Sequence, residues 1–218
     1  MKKSLFLIAL GSVFSFSTTA QTFSGGDGSA ENPYLITKAA DLTELSEVVT
    51  GGNNLTGKFI TLEKDITVTT TPMIGYTGDL KPKHFAGTFD GKNHTISGLK
   101  FSTDKQYCGL FAYVDAMGTV KNLILNQPTM TTGQSYGGFV AAATDGLVEN
   151  CHVTNGVFES TNGSYKGGII GQNKGLVTGC TYSGSITSST NAGGIIGQNY
   201  SHMGKCSCSA TIVSRAPN

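Results

Sequence analysis

Apolar and small polar residues alternate with a period of two through much of the chain. Near the C-terminus, for example, Cys206, Cys208, Ala210 and Ile212 alternate with serine and threonine. This alternation is typical of half-buried β-strands, because successive side chains of a strand point to opposite faces. Helical periodicity is absent from the C-terminal repeats, so the pattern predicts an all-β region from residue 85 to residue 218.

A helical period occurs once, ahead of these repeats. It is carried by four residues, Leu42, Leu45, Val48 and Val49. Thr37 is the predicted N-cap, and Gly51 with Gly52 should end the helix. Strands are predicted near 59–62 and 66–69, and another from about Phe85. A short helix at this place would cover the open end of a stack of strands and shield its unpaired edge.

The chain repeats itself. The heptapeptide "GGIIGQN" occurs at 167–173 and again at 193–199, and related units open at Gly109 and Gly137. A second pattern has an apolar residue, a spacer, Asn or Gly, then Leu or Cys. Its copies are Ile96-Ser97-Gly98-Leu99, Val120-Lys121-Asn122-Leu123, Val148-Glu149-Asn150-Cys151, Val177-Thr178-Gly179-Cys180 and the degraded Met203-Gly204-Lys205-Cys206. Their steps of 24, 28, 29 and 26 residues predict stacked coils with loops of different length.

The third position of this pattern indicates a sharp bend. Asn and Gly accept a left-handed backbone at little cost, so a position that alternates between them favours a corner joining two strands. One such coil cannot bury its inner face, and stacking supplies the core. The two identical heptapeptides should then lie one above the other, with the amides of 172–173 and 198–199 forming ladders.

These motifs resemble a known repeat. "GGFVAAATDGLVENCHVTNG" and "GGIIGQNKGLVTGCTYSGSI" are similar to the GLUG motif of bacterial surface and secreted proteins, and "FAGTFDGKNHTISGLKF" with "GLFAYV" resembles the coil that precedes it. "GGDGSAENPYLITKAADLTELSEVV" resembles the usual opening strand and capping helix. The resemblance implies a right-handed parallel β-helix of the pectate-lyase type, and it implies no catalytic residue.

The N-terminus has the features of a secretory signal. Met1-Lys2-Lys3 precedes an apolar run, and small residues lead to a predicted cleavage after Ala20. We therefore expect a signal peptide at 1–20 and a single β-helix domain at 21–218, with the cap and first coils at 21–84 and the repeat coils at 85–218. The apolar run is too short to span a membrane. Export to the periplasm, the cell surface or the medium is expected.

Composition narrows the range of partners and chemistry. Charged residues make up 13% of the chain and the net charge is +1, which offers no basic face for nucleic acid. Gly25-Gly26-Asp27-Gly28 is a single copy, whereas calcium-binding nonapeptides need tandem ones. The "GGIIGQNK" glycines lack the spacing of a phosphate loop. The histidines at 84, 94, 152 and 202 show no metal-ligand spacing. We predict no catalytic residue, no cofactor-binding residue and no metal site.

The five cysteines point to structure. Cys151, Cys180 and Cys206 occupy one coil position and should stack inside the solenoid as small apolar residues. A mostly reduced column is favoured, with a disulfide between two of the three as the alternative. Cys108 and Cys208 complete an odd number, so at least one free thiol is expected.

Two classes of function remain. The first is a non-catalytic secreted or surface solenoid, an adhesin-like module that binds a host, a glycan or another cell-surface partner. The second is a carbohydrate-active β-helix enzyme, or a fragment of a larger protein such as a peptidase with GLUG repeats. Asp65, Asp79 and Asp90 are its candidate carboxylates, and a groove joining carboxylates to Lys or Arg would favour it. Since the tail after Val213 is too short to cover the last coil, we also expect either self-association through that coil or that the chain is the N-terminal piece of a longer solenoid.

Overall fold

All the strand pairs in the described part of the chain are parallel. The computed structural model describes residues 22–78 and 81–215, so the predicted signal peptide, the cleavage after Ala20 and Asp79 lie outside the described residues. Each strand pair in these ranges is parallel. The fold is a parallel β-solenoid of about six turns, which confirms the predicted class.

One helix and many short strands form the described chain. In chain order they are β1 (Tyr34–Ile36), α1 (Ala39–Thr50), β2 (Phe59–Leu62), β3 (Ile66–Thr67), β4 (Thr88–Asp90), β5 (Thr95–Ser97), β6 (Lys100–Thr103), β7 (Phe111–Val114), β8 (Thr119–Asn126), β9 (Thr129–Thr132), β10 (Gly137–Gly138), β11 (Ala141–Thr144), β12 (Leu147–Ser160), β13 (Lys166–Gly167), β14 (Ile170–Asn173), β15 (Leu176–Thr178), β16 (Thr181–Ser188), β17 (Ala192–Gly193), β18 (Ile196–Asn199), β19 (His202–Gly204), β20 (Ser207–Cys208) and β21 (Thr211–Ser214).

The strands stack in columns that run the length of the solenoid. The longest column is β1-β2-β4-β8-β12-β15-β19, and strands β8, β12 and β16 continue around a corner into a neighbouring column. A separate sheet on another side contains β7, β11, β14 and β18, with the short strands β10, β13 and β17 beside it. The apolar residues inside form one continuous core from Phe23 to Ile195.

The predicted corners are left-handed. Asn122, Asn150, Gly179 and Lys205 have φ values of 52°, 49°, 67° and 53°. Side chains connect the corners from coil to coil, since Asn150 Nδ2 donates to Asn122 Oδ1 at 3.4 Å and Asn122 Nδ2 donates to Asp90 Oδ1 at 3.0 Å. The corners at these four positions are therefore confirmed. The asparagines serve them in two ways, because they tolerate a positive φ and also form hydrogen bonds between coils.

The prediction that residues 96–99 form the first copy of the corner pattern is wrong in register. Ile96 pairs with Leu125, not with Val120, and Phe89 is the residue that pairs with Val120. The corner of this early coil is longer and places two residues, Lys92 and Asn93, at positive φ. The apparent match of 96–99 arose because a second corner follows each first one, and Gly98 lies there with a φ of 82°.

The two identical heptapeptides lie directly above each other. Ile170 pairs with Ile196. Gln172 Nε2 donates to Gln198 Oε1 at 2.8 Å, and the next amide pair, from Asn173 to Asn199, spans 2.7 Å. The amide ladders are therefore confirmed. The earlier "GG" is offset by one residue, because Gly138 rather than Gly137 pairs with Gly167.

The helix closes the N-terminal end of the core. Leu42, Leu45 and Val49 are fully buried, as a cap requires. The N-cap is Lys38, one residue later than predicted. Asp41, the third residue of the helix, reaches back as in a capping box, because its carboxylate accepts hydrogen bonds from the backbone N–H groups of Thr37 (2.8 Å) and Lys38 (3.2 Å).

The five cysteines are free thiols. Cys151 and Cys180 are buried, and each thiol donates to the carbonyl two residues earlier. Burial raises the pKa of Cys151 well above its usual value, and it raises the pKa of Cys108 to about 12. Cys206, the third member of the expected column, is half-buried, so only Cys151 and Cys180 of that column are fully internal. Cys208 is exposed.

Replacing Asn150 with valine should destabilise the fold by about 1–3 kcal/mol, because a β-branched residue resists positive φ. The change also removes the amide bond to Asn122. The measurement is the free energy of unfolding in urea. Thr161→Val, in an exposed loop, is the control, and we expect it to stay within about 0.5 kcal/mol of the parent. Equal losses for both variants would contradict the assigned corner.

Cys208 should be the thiol that reacts fastest with a thiol reagent in dilute native protein, because it is the exposed one. Cys108, Cys151 and Cys180 should react only after denaturation. The rate is followed by the release of the reagent's chromophore, with Cys208→Ser as the comparison. Because Cys206 is half-buried, Cys208→Ser can keep one reactive thiol, and fast labelling of two or more thiols in that variant would show that the buried column opens in the native state.

Candidate binding face

Carboxylates at and beside the first corner pair with basic side chains. Lys92 Nζ lies 2.6 Å from Glu63 Oε1, and Lys121 Nζ lies 3.5 Å from Asp90 Oδ2. Two further carboxylates pair with histidines of a neighbouring coil, Asp65 with His94 at 3.2 Å and Asp115 with His84 at 3.1 Å. Pairs with carboxylates of neighbouring coils therefore hold two of the four histidines, His84 and His94.

These ion pairs hold the carboxylates in their charged form. The hydrogen bond from Lys92 lowers the pKa of Glu63, and the backbone N–H of Thr95 does the same for Asp65, ahead of its partner His94. Burial opposes ionisation of Asp90, yet its bond from the Asn122 amide and other contacts hold its pKa below the usual value. A glycosidic general acid needs a raised pKa. The pKa values of Glu63, Asp65 and Asp90 are lowered instead, so these carboxylates are anions paired with neighbouring groups.

The remaining candidates lie in turns. Asp27 Oδ1 accepts a 2.8 Å hydrogen bond from Ser29 N, which is an Asx-type turn. In the ranges 22–78 and 81–215, no group of three or more His, Cys, Asp or Glu residues is arranged to hold a metal ion. His152 Nδ1 lies 2.9 Å from Thr181 Oγ1, a contact between neighbouring coils.

A stack of aromatic rings lies on the outside of the solenoid. We call it the tyrosine face and define it by Tyr107, Tyr136, Tyr165, Tyr113 and His84. The rings of Tyr107 and Tyr136 are stacked at 4.6 Å and 8°, and those of Tyr136 and Tyr165 lie 5.2 Å apart. Tyr107 is 6.3 Å from Tyr113, which stacks on His84 at 4.1 Å and 9°. Each tyrosine of the face is half-exposed.

The backbone holds three of these tyrosines in an uncommon conformation. Tyr107, Tyr136 and Tyr165 have φ values of 63°, 61° and 64°, and a bulky residue in this region costs of the order of 1–3 kcal/mol. Their carbonyls fix the stack, because Tyr136 O accepts from Cys108 N at 2.9 Å and Tyr165 O accepts from Gly137 N at 3.1 Å. The same rotation in each coil brings the rings into one line.

Hydrophilic groups surround the rings. Tyr113 belongs to the outward row that continues through Ala143, Gln172 and Gln198, so the amide ladder extends the face toward the C-terminus. The His84 hydrogen bond lowers the pKa of Asp115. Burial raises the pKa of Tyr113, and a hydrogen bond to Asp145 adds to the effect. The face therefore offers ring edges, phenolic hydroxyls, amides and carboxylates within a few coils.

Sequence reasoning missed this face, although a signal was present. Each tyrosine stands two residues before the glycine that opens a coil, in "YCG", "YGG" and "YKG", at steps of 29 residues. Asn191 occupies the fourth copy, since its carbonyl accepts from Lys166 N where Tyr165 O accepts from Gly137 N. An aromatic residue recurring once per coil outside the apolar columns is the pattern that would have found it.

Three comparisons place the chain among known proteins. No family model matches it. Halomucin of Haloquadratum walsbyi is 30% identical over 141 residues, which is 61% of this chain and 2% of that protein. A protein of Evansella cellulosilytica named as a Gly-rich membrane protein is 31% identical over 135 residues, which is 54% of this chain and 15% of that protein. The chain thus spans a small part of each relative.

A solved structure shares the fold. A crystal structure from Bacteroides ovatus, named as an immunoglobulin A1 protease, matches with a TM-score of 0.55 and 19% identity, covering 87% of this chain and 67% of that one. At this identity the likeness supports the solenoid fold alone. Within the described ranges, no helix combines the length and the apolar character that crossing a bilayer requires.

The tyrosines of the face should ionise late. Burial raises the pKa of Tyr107, Tyr113 and Tyr136, so the folded state keeps protons that the unfolded state loses above pH of about 10. Stability should therefore be constant below that pH, for these groups, and fall as pH rises beyond it. Phenolate absorbance of native and urea-unfolded protein measures the delay. Tyr113→Phe should reduce it, and overlapping native and unfolded curves would contradict the buried environment.

Proposed function

We propose that this chain is a GLUG-like β-solenoid binding module of an exported or cell-surface protein, and that its tyrosine face binds a glycan. The observation that carries the proposal is the line of Tyr107, Tyr136 and Tyr165, each at positive φ. Strained conformations of this kind persist where the surrounding structure enforces them, and they cluster at binding sites. The export features at 1–20 and the names of the two relatives support a location outside the cytoplasm.

The chemistry of the face favours a saccharide. Phenolic and amide groups donate and accept hydrogen bonds, as Gln172 and Gln198 do with each other, and such groups pair with sugar hydroxyls. Carboxylates such as Asp115, held ionised by His84, accept from hydroxyl donors. The coil repeat spaces equivalent groups by about 4.8 Å along the axis. An extended, uncharged glycan chain lying along this axis would contact several coils at once.

Tyr136→Asn is the sharpest variant for testing this proposal. Asparagine tolerates positive φ, so the backbone should persist while the ring is lost. The measurement is binding of the mature chain to a glycan array, followed by titration with the best glycan. We expect the dissociation constant to rise by more than about tenfold, a loss of about 1.4 kcal/mol.

The control is Val157→Asn. Val157 is an apolar residue with 43% exposure on another strand column, and its replacement should leave binding unchanged. Equal binding by the parent, Tyr136→Asn and Tyr165→Asn would refute the tyrosine face as the site. If no glycan on the array binds but the chain still binds to whole cells, the glycan proposal is wrong and a protein partner is indicated.

The ion pairs at the first corner support a second candidate function, that of a carbohydrate-active enzyme. Glu63 pairs with Lys92 and Asp90 with Lys121 across coils, and this joining of carboxylates to lysines is the support for the carbohydrate-active alternative. Release of reducing ends from a polysaccharide, abolished in Asp90→Asn but not in Tyr136→Asn, would favour an enzyme. The name of the Bacteroides ovatus structure also suggests that such a solenoid can accompany a peptidase within a longer protein.

A further inference from the structure

One lysine side chain lies wholly inside the solenoid, next to the tyrosine face. Lys166 is 0% exposed and directly follows Tyr165. Among the residues that the structure describes, no other lysine or arginine is buried. Removing an ammonium group from water costs free energy unless hydrogen-bond acceptors replace the water. The acceptors of Lys166 therefore show what the buried charge does.

The preceding coil leaves space for this side chain. Lys166 pairs with Gly137 of that coil, and a Cβ added to Gly137 would lie 3.4 Å from Lys166 Cδ. The same Cβ would lie 2.5 Å from Phe158 Cζ. The aliphatic stem of Lys166 thus fills volume beside a glycine that has no side chain of its own. This packing directs the ammonium group toward the preceding coil.

The ammonium group contacts the backbone of two loops that carry tyrosines of the face. Lys166 Nζ donates to the carbonyl of Gln134, which stands two residues before Tyr136. It also donates to the carbonyl of Ser164 at 3.3 Å, directly before Tyr165. The Ser164 carbonyl accepts a second hydrogen bond, from the backbone N–H of Tyr136 at 3.2 Å. One buried cation therefore connects the chain segments that precede two neighbouring rings.

We propose that Lys166 is a positioning residue of the tyrosine face, and that its ammonium group holds the loops before Tyr136 and Tyr165 in the conformation that aligns the two rings. The effect on glycan binding rests on the proposed function of the face, whereas the effect on the order of the rings does not. Both tyrosines have a positive φ, which is unfavourable for a bulky residue. Hydrogen bonds from a charged donor are roughly twice as strong as neutral ones, so the lysine stabilises the backbone where it is least favourable.

The order of the rings should depend on pH. Burial lowers the pKa of Lys166 from 10.5 to about 8. Cys108 is the titratable group whose charge would act on Lys166, and its thiol stays protonated in this range because burial raises its pKa to about 12. As the pH rises through about 8, Lys166 loses its charge, and the bonds to the Gln134 and Ser164 carbonyls weaken.

Overall stability should change in the opposite direction. The pKa of Lys166 is lower in the folded chain than its ordinary value of 10.5, so between pH of about 8 and 10.5 the unfolded chain binds more protons. The contribution of this group to stability therefore rises with pH in that window. A loss of ring order above pH of about 8 would then be a local event rather than the start of unfolding.

Near-UV circular dichroism of the ligand-free mature chain tests the order of the rings, because the chain has eight tyrosines and no tryptophan. The parent should lose part of this signal with a midpoint near pH 8. Ionisation of Tyr107 and Tyr136 does not interfere, because burial raises the pKa of both phenols. Lys166→Met keeps an apolar stem without the charge, and it should show the reduced signal already at neutral pH, with no midpoint.

Lys64→Met is the matched control, because it makes the same change at an exposed lysine. It should titrate like the parent. Far-UV circular dichroism and thermal unfolding show whether each variant is folded, and the titration of the parent requires no variant. A folded Lys166→Met that keeps the tyrosine signal of the parent would overturn the positioning role. A parent signal without a midpoint near pH 8, or an equal change in Lys64→Met, would do the same.

Titration with the best glycan from the array separates this role from the proposed function. We expect Lys166→Met to raise the dissociation constant by more than about fivefold, because the carbonyls lose a charged donor. Binding by the parent and by Lys166→Met with equal affinity and equal ring signal would overturn the positioning role and leave the glycan site intact. Loss of ring signal in Lys166→Met, with no glycan bound by either protein, would support the positioning role and overturn the glycan site.

Discussion

The fold depends on the stacking of one coil on the next. No coil of this chain can bury its apolar residues alone, because a two- or four-residue strand has core contacts on one side only. In-register stacking turns these contacts into columns, such as Phe89, Val120, Val148 and Val177, which are all fully buried. Every other feature of the molecule either maintains this register or results from it.

Register is maintained by polar side chains at the surface as well as by the core. The Asn150–Asn122–Asp90 series, the Gln172–Gln198 pair and the Asn173–Asn199 pair form hydrogen bonds between neighbouring coils. A shift of one residue would break these bonds and turn the apolar side chains outward. This explains why these asparagines and glutamines recur from coil to coil.

The sequence was sufficient where local chemistry decides conformation. Asn122, Asn150 and Gly179 predict left-handed corners, because asparagine and glycine adopt a positive φ more readily than other residues. The two identical heptapeptides predict that one stacks on the other. It was insufficient where loop length decides register. Ile96-Ser97-Gly98 fits the corner pattern as well as Phe89-Asp90-Gly91 does, and only the three-dimensional path shows that the first belongs to the second corner. The tyrosine face was missed for a related reason. Tyrosines at positive φ contradict local preference, so no propensity argument places them at a corner, and the His84–Asp115 pair joins residues 31 positions apart.

The position of the tyrosine face links its binding strength to the number of coils. The face runs along the solenoid axis, because its rings recur once per coil in Tyr107, Tyr136 and Tyr165. A single half-exposed ring would be a modest binding site by itself, whereas a repetitive glycan lying along the axis would contact several coils at once, and each contact raises the effective concentration for the next. The same stacking that builds the core would then determine how strongly the surface binds, through the number of rings that it brings into line.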